Sequence, residues 1–466
     1  MSKNTTHKRS SFTGSIGFVM AAAGSAVGLG NIWRFPYLAA KNGGGTFIFV
    51  YIILALTFGF TLLTTEIAIG RKTKQGPLTA YGLLNKKFAC TGLFAWLVPV
   101  IILPYYCTIG GWVLKYLFAY ITGDGVNAAA DGYFTGHITS QWSPLFWLVI
   151  YLGMTAFVVF SGVNKGIEKY SRIIMPILIV LVIGISLFSL TLSHTDAEGV
   201  TRTGLEGLKI YLIPSFEGMT VRGFFSLLMD AVGQLFFSIS VAMGIMVAYG
   251  SYVKDDVNLM KSINQIEFFD TLVAMLAGLM IIPAVFTFMG VEGMSAGPGL
   301  MFVSLPKVFD AMGRVGIFVG ILFFLMVTFA AVTSSVSVLE AIVSGLMDKW
   351  KFSRKKSTII ATIYALIVGI IVCLGYNIFY FEYELPNGSV AQILDIMDYI
   401  SNNLLMPLVA ILTCILIGWI VKPGIVIDEV TKNGEKFGRR NLYIAMIKFI
   451  TPVLLIILLL QSMGIF

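Results

Sequence analysis

Of the 466 residues in this chain, 57% are hydrophobic and only 12% are charged. A soluble globular domain carries about 25% charged residues. The low charge of this chain therefore excludes a soluble globular protein. The net charge of +8 could suggest nucleic-acid binding, but the distribution of the basic residues along the chain argues against that interpretation.

Long apolar stretches, mostly of about 20 residues or more, divide the chain, and a helix of this length crosses a bilayer. Alternating segments of about 10 residues, which transmembrane strands need, do not recur. We therefore predict an all-α polytopic membrane protein with eleven transmembrane helices. The predicted spans lie near residues 14–38, 44–69, 91–121, 145–161, 170–193, 223–252, 260–289, 314–347, 357–376, 393–420 and 441–463.

Lysine and arginine are concentrated in alternate connecting segments. If the N-terminus is cytoplasmic, the cytoplasmic segments contain 23 of the 32 basic residues and the exterior loops contain five. This asymmetry predicts a cytoplasmic N-terminus, and an odd number of spans then places the C-terminus outside. Nothing in the chain requires a eukaryotic membrane, so we predict the inner membrane of a bacterium.

The spans divide into two halves of five, with one additional span. We predict a cytoplasmic tail over residues 1–13, a first repeat over 14–193, an exterior loop over 194–222 and a second repeat over 223–420. Residues 421–466 would then form a cytoplasmic loop and the eleventh span. Transporters built from two inverted halves often bind their substrate where helices are broken near the bilayer midplane.

The first span of each half contains residues that weaken a helix near its middle. In span one, Gly24, Gly28 and Gly30 lie within seven residues, and each costs a helix about 1 kcal/mol relative to alanine. In span six, the segment 238–244 combines two serines with Gly244. Such residues can also permit close helix packing, but their matching positions favour two discontinuous helices. Lipid cannot satisfy the peptide groups at such breaks, whereas ions and a charged substrate can.

Several motifs along the chain are typical of one family of transporters. They are the run from Ala21 to Tyr37, Asn42-Gly43-Gly44-Gly45, Glu66 with Gly70-Arg71, Tyr105-Tyr106, Gly233–Ser238 and Thr333-Ser334-Ser335. Over its whole length the chain resembles the neurotransmitter:sodium symporter family. The resemblance implies a LeuT-type fold, which is a 5+5 inverted repeat with broken helices one and six plus one extra helix. It also implies sodium symport by alternating access.

The resemblance implies that two Na⁺ ions are co-transported. The first would be bound by the Ala26 carbonyl and the side chains of Asn31, Ser238 and Asp270, together with the substrate carboxylate. Na⁺ is a hard cation, which prefers oxygen ligands. An acid inside a span is costly and indicates a functional site. Alternatively, Asp270 could pair with Lys261 at the cytoplasmic end of its span.

The second sodium site implied by the resemblance combines carbonyl and hydroxyl oxygens. Its ligands would be the carbonyls of Gly24, Val27 and Ala330 and the hydroxyls of Thr333 and Ser334. By itself, a Thr-Ser-Ser sequence in a membrane helix more often bonds to its own backbone.

Animal members of the family also bind chloride beside the first sodium ion, and they typically have asparagine where this chain has Asp270. The neighbours of that chloride, Tyr51, Gln234 and Ser238, are present here. The carboxylate would supply the negative charge, so we predict transport that is independent of chloride. When sodium and substrate leave, this buried carboxylate would take up a proton, which predicts proton counter-transport.

The resemblance also bears on the substrate. Members that carry monoamines usually have aspartate in place of Gly28, and glycine leaves room for the carboxylate of an amino acid. That carboxylate would contact the first sodium ion, the Leu29 and Gly30 amides and the Tyr106 hydroxyl, near the positive end of a half-helix. The other substrate-binding residues would be Ser25, Ala26, Ile102, Phe237, Ser238, Ser240, Met243, Ser334 and Val338. A charged substrate side chain would be unpaired there, at a cost of several kcal/mol. We therefore predict a neutral hydrophobic or aromatic L-amino acid.

Two sets of residues match the gates of the family. They are Arg34 with Asp398 at the outer end, and Arg9 with Asp348 and Tyr252 at the inner end. An exposed pair of this kind is worth under about 1 kcal/mol, and a gate needs contacts that break easily.

Other functions fit the sequence less well. The three histidines lie in tails or loops and no HExxH motif is present, so we do not predict an enzyme. A channel needs a continuous polar lining, and the chain has isolated polar positions instead. A sodium-coupled transporter of another small solute and an amino-acid sensor that does not transport both stay open. The sequence does not determine the oligomeric state.

Overall fold

The structure is a computed structural model and describes residues 10–196, 198–216, 219–294 and 297–465. Helices long and apolar enough to cross a membrane dominate this part of the chain. Nine of them, counted over the described residues, are Gly45–Thr73, Lys86–Ile121, Ser143–Phe160, Val163–Leu190, Leu259–Met289, Arg314–Trp350, Arg354–Leu374, Ile393–Ile420 and Arg440–Ser462. The predicted all-α membrane fold is confirmed.

Span one is broken, as predicted. It consists of the helices Ser15–Ala26 and Gly30–Lys41, which meet at an angle of 53°. At Val27 the backbone leaves the helical region, with ψ of 90°. The Gly28 amide donates a hydrogen bond to the Asn31 side chain at 3.2 Å, and this bond satisfies one peptide group that the break exposes.

Span six is also broken. It consists of the helices Val221–Ser238 and Ile245–Gly250, and residues 239–244 between them are not helical. Arg222 and Asp230 lower the hydropathy of the first helix, and the second has only six residues. This pair therefore does not count among the membrane-length helices of the described chain, which number nine, or ten with span one. The total of eleven spans stays a prediction.

Some spans contain turns that are not α-helical. Six π-helical segments lie at Gly30–Arg34, Ala55–Gly59, Val163–Glu168, Tyr399–Leu405, Leu416–Ile420 and Met446–Ile450, and a 3₁₀ turn lies at Lys86–Phe88. The connecting helices are Pro77–Leu84, Gly125–Ala128, Tyr133–Thr139, Gly204–Leu212, Val291–Gly293, Leu300–Ser304, Leu305–Ala311 and Gly424–Val430. Two small hairpins pair Ser193–Thr195 with Thr201–Thr203 and Tyr383–Glu384 with Val390–Ala391.

Burial separates a helical core from peripheral spans. In the most apolar 18-residue window of each helix, span two is 72% buried and span eleven only 28%. Spans three and eight pack closely because Gly320 has no side chain; a Cβ atom there would lie 2.3 Å from the Tyr120 ring. The two broken helices lie beside spans three and eight, which form a scaffold around the central cavity.

Candidate substrate and ion site

A central cavity with an empty volume of about 400 Å³ lies between the two helix breaks. Its walls are formed by Ser25, Ala26, Gly28, Leu29, Gly30, Asn31, Ile102, Tyr106, Phe237, Ser238, Ser240, Met243, Ile245, Ser334 and Val338. All twelve predicted substrate-binding residues are in this set, and the additional ones are Gly28, Asn31 and Ile245. None of these described lining residues is an acid, a lysine, an arginine or a histidine, so the cavity wall carries no formal charge.

Gly28 leaves space at one end of the cavity. A Cβ atom at this position would lie 2.8 Å from the Ser334 hydroxyl and 3.4 Å from the Tyr106 hydroxyl. The Tyr106 hydroxyl is buried and has no hydrogen-bond partner within the described chain, although it lies close to Ser334 and the Leu29 amide. This end therefore combines a donor that needs a partner with room for a small polar group.

A network of serines connects the two breaks with span eight. The Ser240 hydroxyl and the Ser334 hydroxyl each donate a 3.0 Å hydrogen bond to the Ser25 carbonyl. This carbonyl lies in the last turn of the first half-helix, where no backbone partner follows in the helix. The side chains of span six and span eight thus satisfy a peptide group that the break exposes.

Three of the four residues predicted for the first sodium ion, Asn31, Ser238 and Asp270, are in contact, and the fourth, Ala26, lines the same cavity as Asn31 and Ser238. Asp270 is fully buried. Its Oδ1 atom accepts hydrogen bonds from Ser238 Oγ at 2.7 Å and from Asn31 Nδ2 at 3.0 Å. The alternative pairing with Lys261 is not formed, because Lys261 lies at the end of span seven, in the turn that Asn258 caps. Asp270 therefore joins both helix breaks through its side chain.

Three polar atoms near Asp270 are buried without a hydrogen-bond partner among the described residues. They are Asp270 Oδ2, the Gln234 side-chain oxygen and the Tyr51 hydroxyl, although the last lies close to Ser238. The Gln234 amide nitrogen donates to the Gly30 carbonyl at 3.1 Å, and this bond orients the side chain. Buried polar atoms are rarely left unpaired, so this cluster is suited to bind an ion.

The predicted second sodium set lies between span one and span eight. A Cβ atom at Gly24 would be 3.3 Å from Thr333 Cβ, so these two helices touch at this level. Thr333 bonds to the Phe329 and Ala330 carbonyls of its own helix at 3.0 Å, as the alternative interpretation expected. Ser334 instead reaches across to span one, where the Val27 carbonyl is 3.5 Å away.

A wide vestibule with an empty volume of about 1080 Å³ lies on the other side of the Phe237 ring. Phe237 lines both spaces, so its ring separates the vestibule from the cavity. Arg34 lines the vestibule. Asp398 accepts hydrogen bonds from Tyr105 at 3.1 Å and Asn402 at 2.6 Å. Both gate residues belong to the described chain, and they form no ion pair within 4.0 Å in this conformation.

The opposite end of the protein is closed by packed aromatic and charged side chains. Phe12 is 2% exposed and packs against Tyr249 and Tyr252, with ring centroids 5.8 and 6.3 Å away. The Tyr252 hydroxyl donates to Glu340 at 2.6 Å, and Glu340 forms an ion pair with Arg354 at 2.6 Å. The conformation thus has an open vestibule at one end and a sealed opposite end.

The predicted inner pair is described only in part. Arg9 lies outside the described residues. Asp348 accepts a hydrogen bond of 2.5 Å from the Gly76 amide, and it has a further contact. Its pairing with Arg9 stays a prediction.

Glu66 has a role that its motif alone did not predict, although an acid within an apolar span is a recognisable sign of function. The Glu66 carboxylate is buried and accepts a 2.6 Å hydrogen bond from the Ala242 amide, in the break of span six. Ala242 has φ of 60°, a region that alanine rarely adopts. Glu66 therefore stabilises the unusual backbone of the second break.

Comparison with known proteins agrees with this geometry. A sequence model described as the sodium:neurotransmitter symporter family matches residues 9–131 and 133–466. The sodium-dependent transporter YhdH of Bacillus subtilis is 34% identical, over 97% of each chain. The sodium-dependent transporter MJ1319 of Methanocaldococcus jannaschii is 31% identical, over 96% of this chain and 89% of that one. The mouse sodium- and chloride-dependent GABA transporter 2 is 24% identical, over 91% and 75% of the two chains.

A solved structure, that of MhsT in complex with L-phenylalanine, is similar to this fold. The TM-score is 0.85 at 34% sequence identity, and the match covers 98% of this chain and 100% of MhsT. The LeuT-type fold expected from the motifs is therefore confirmed. The matched relatives are sodium-dependent transporters, and the helices of this chain make it a multi-pass membrane protein. The chain belongs to the sodium:neurotransmitter symporter family.

Proposed function

We propose that this protein is a secondary transporter that uses a sodium gradient to take up a neutral hydrophobic or aromatic L-amino acid. The observation that carries the proposal is the uncharged cavity between two helix breaks, with the Asp270 cluster at its edge. The breaks offer peptide dipoles to a zwitterion. Apolar residues such as Ile102 and Val338 would receive the substrate side chain, as the complex of MhsT with L-phenylalanine supports.

The substrate carboxylate would lie in the space beside Gly28. There the Tyr106 hydroxyl would donate the hydrogen bond for which it has no partner among the described residues. The Leu29 and Gly30 amides would add the positive end of the second half-helix. Phe237 would cover the bound substrate, and approach of Arg34 to Asp398 above it would close the vestibule.

Two Na⁺ ions would move with the amino acid. One would lie against the Asp270 cluster and the Ala26 carbonyl, where buried oxygen atoms lack partners within the described chain. The other would lie between span one and span eight, where the Val27 carbonyl and the Ser334 hydroxyl are 3.5 Å apart. Both positions offer the oxygen ligands that a hard cation prefers.

The Asp270 carboxylate would replace the chloride ion on which the GABA transporter 2 relatives depend. It is fixed by Ser238 and Asn31 close to Tyr51 and Gln234, so its charge would balance the first sodium ion. After the ion and the substrate have left, the carboxylate would take up a proton and carry it outward. The proposed transport is therefore chloride-independent, with proton counter-transport.

The orientation follows from the charge distribution. Basic segments would face the cytoplasm, with the N-terminus inside and the C-terminus outside a bacterial inner membrane. Residues 14–193 and 223–420 would form the two inverted repeats, joined by an exterior loop. The vestibule at Arg34 would then open to the outside, and the layer around Phe12 and Tyr252 would close the inside.

Uptake into proteoliposomes tests the proposal. Each of the twenty radiolabelled amino acids is offered with an inward Na⁺ gradient or with K⁺ in its place. We expect saturable accumulation of one or more apolar or aromatic amino acids with Na⁺ only, abolished when an ionophore dissipates the gradient. The proposal would be contradicted if uptake in K⁺ equalled uptake in Na⁺, or if none of the twenty amino acids were transported. Counterflow distinguishes the alternatives, because a sensor binds without exchange and a channel exchanges without saturation.

A further inference from the structure

A groove on the lipid-facing surface lies between span four and span nine. It has an empty volume of about 590 Å³, and its walls include Gly153, Phe157, Phe160 and Ile363. Phe157 and Ile363 are 61% and 53% exposed, so the groove opens outward from the helices and not into the central cavity. Its length from Gly153 to Phe160 is about 10 Å along the helix axis.

The groove walls are mostly apolar, and one end of the groove is basic. Lys355 lies there, with its ammonium nitrogen 5.6 Å from the centre of the Phe160 ring. A lysine at the end of a membrane helix extends its charge toward the headgroup layer. The groove therefore offers an apolar surface to an acyl chain and has the Lys355 ammonium group at one end.

The two connections at this end carry a strong positive charge. Segments 161–169 and 348–356 contain two acids, Glu168 and Asp348, and seven basic residues, one of which, Arg354, is paired with Glu340. Both acids have contacts elsewhere: Glu168 accepts a hydrogen bond from the Thr13 amide at 2.9 Å, and Asp348 accepts one from the Gly76 amide. A surface of this charge attracts anionic headgroups.

A polar atom in the groove wall adds a second point of recognition. The Thr362 hydroxyl is buried, lines the groove and has no hydrogen-bond partner within the described residues. It lies about 10 Å along the helix from Lys355. A glycerol ester carbonyl, next to a phosphate at Lys355, is in a position to accept a hydrogen bond from this hydroxyl.

We propose that this groove binds one anionic phospholipid of the surrounding bilayer. One acyl chain fills the slot between span four and span nine, the phosphate lies against Lys355, and an ester carbonyl accepts a hydrogen bond from Thr362. The charge at the basic end distinguishes an anionic lipid from a zwitterionic one. The bound lipid joins two spans at the end where Arg354, the first residue of span nine, forms its ion pair with Glu340.

Native mass spectrometry tests this proposal directly. The full-length protein is extracted from liposomes of equal parts phosphatidylglycerol and phosphatidylcholine, and the bound lipids are identified by mass. We expect one phosphatidylglycerol per chain, retained at least fivefold more often than phosphatidylcholine. Equal retention of the two lipids would overturn the anionic assignment, and a lipid-free dimer would assign the groove to a second copy of the chain.

Two variants locate the site, each with a matched control. A Cβ atom at Gly153 would meet nothing within 4 Å, so Gly153→Leu places its side chain in the groove. A Cβ atom at Gly184 also meets nothing within 4 Å, and Gly184→Leu adds the same side chain to an exposed position of span five, away from the groove. Lys355→Gln removes the cation, and Lys448→Gln removes a lysine that lies 5.7 Å from the Trp419 ring. Retention of phosphatidylglycerol should fall at least fivefold in the first member of each pair and by less than twofold in the control. Wild-type retention by both Gly153→Leu and Lys355→Gln would refute the site.

Discussion

Ser238 donates a 2.7 Å hydrogen bond to the Oδ1 atom of Asp270 and so ties the break of span six to span seven. Asn31, from the break of span one, donates to the same oxygen at 3.0 Å. The second oxygen, Oδ2, is buried and has no partner among the described residues. Isolated buried carboxylates are costly, so the arrangement favours a cation or a proton at this oxygen.

Replacing Asp270 by asparagine should make transport depend on chloride. The amide retains the size of the side chain but removes the negative charge, and the proposed sodium ion then lies in a buried site without a counter-charge. We expect initial uptake rates at least tenfold lower in chloride-free buffer, with recovery when chloride is added. The wild-type rate should be the same in chloride and in gluconate.

Glu267→Gln is the matched control for this substitution. Glu267 lies nearly one turn before Asp270 on the same helix, and it pairs with Arg439 at 2.8 Å. Loss of the Glu267 charge should leave transport insensitive to chloride. If Asp270→Asn transports equally well with and without chloride, the carboxylate does not replace that ion.

Gly28→Ala should weaken binding of the amino acid. The added Cβ atom would lie 2.8 Å from Ser334 Oγ, in the space proposed for the substrate carboxylate. We expect at least a tenfold increase in Kd, which corresponds to about 1.4 kcal/mol. Equilibrium binding of a transported amino acid in detergent, at saturating Na⁺, measures this change.

Gly184→Ala provides the comparison for Gly28→Ala, because a Cβ atom at Gly184 meets nothing within 4 Å. Its Kd should equal that of the wild type. A wild-type Kd for Gly28→Ala would instead mean that the substrate carboxylate lies elsewhere in the cavity.

The residues of the cavity could be predicted because the chain resembles a known family: eight of the twelve lie in the motifs that carry the resemblance. The resemblance supplied the other four, Ile102, Ser240, Met243 and Val338, which lie outside those motifs. The first break was predictable for a local reason: Gly24, Gly28 and Gly30 destabilise a helix wherever they occur together. Asp270 was predicted through the family resemblance, and its position as an acid within an apolar span supported that assignment.

The conformation of the second break could not be predicted in the same way. Ser240 and Ala242 have φ of 54° and 60°, values that neither residue type suggests. The Ala242 amide is bound by Glu66, which is 176 residues away in sequence, so a tertiary contact determines the local backbone. Likewise, the separation of Arg34 from Asp398 depends on the conformational state of the transporter, which a sequence does not specify.

Disrupting the buried ion pair between Arg354 and Glu340 should destabilise the protein. Their N–O distance is 2.6 Å, and the two side chains are 14% and 0% exposed. Removing one partner leaves a buried charge uncompensated, at a cost of about 3–5 kcal/mol. Glu340→Gln and Arg354→Met should therefore each lower the thermal midpoint of the purified protein in detergent.

The double variant tests whether the pair itself is responsible. With both charges removed, no buried charge is left alone, so Glu340→Gln/Arg354→Met should be more stable than either single variant. If the stability lost by the double variant equals the sum of the losses in the two single variants, the side chains contribute through packing and not through their mutual attraction.

Acidification should destabilise the protein through His137. This residue is 5% exposed, and its Nδ1 atom lies 2.8 Å from the Ser143 hydroxyl. Burial, with a smaller contribution from Lys115, lowers the pKa of His137 from 6.5 to about 4. The unfolded chain therefore binds this proton more readily, so the stabilisation is complete above about pH 6.5 and is lost as the pH falls toward 4.

The corresponding measurement is the thermal midpoint of wild type and His137→Gln between pH 4 and pH 8. The wild-type midpoint should decrease more steeply below pH 6.5, by an amount equivalent to at most about 3 kcal/mol. His194→Gln changes a histidine in another connecting segment and should retain the wild-type profile. A group with different pKa values in the folded and unfolded states makes stability depend on pH, so removing it changes the slope of the thermal midpoint against pH. Parallel profiles for wild type and His137→Gln would therefore show that the neutral form of this buried ring does not contribute to stability.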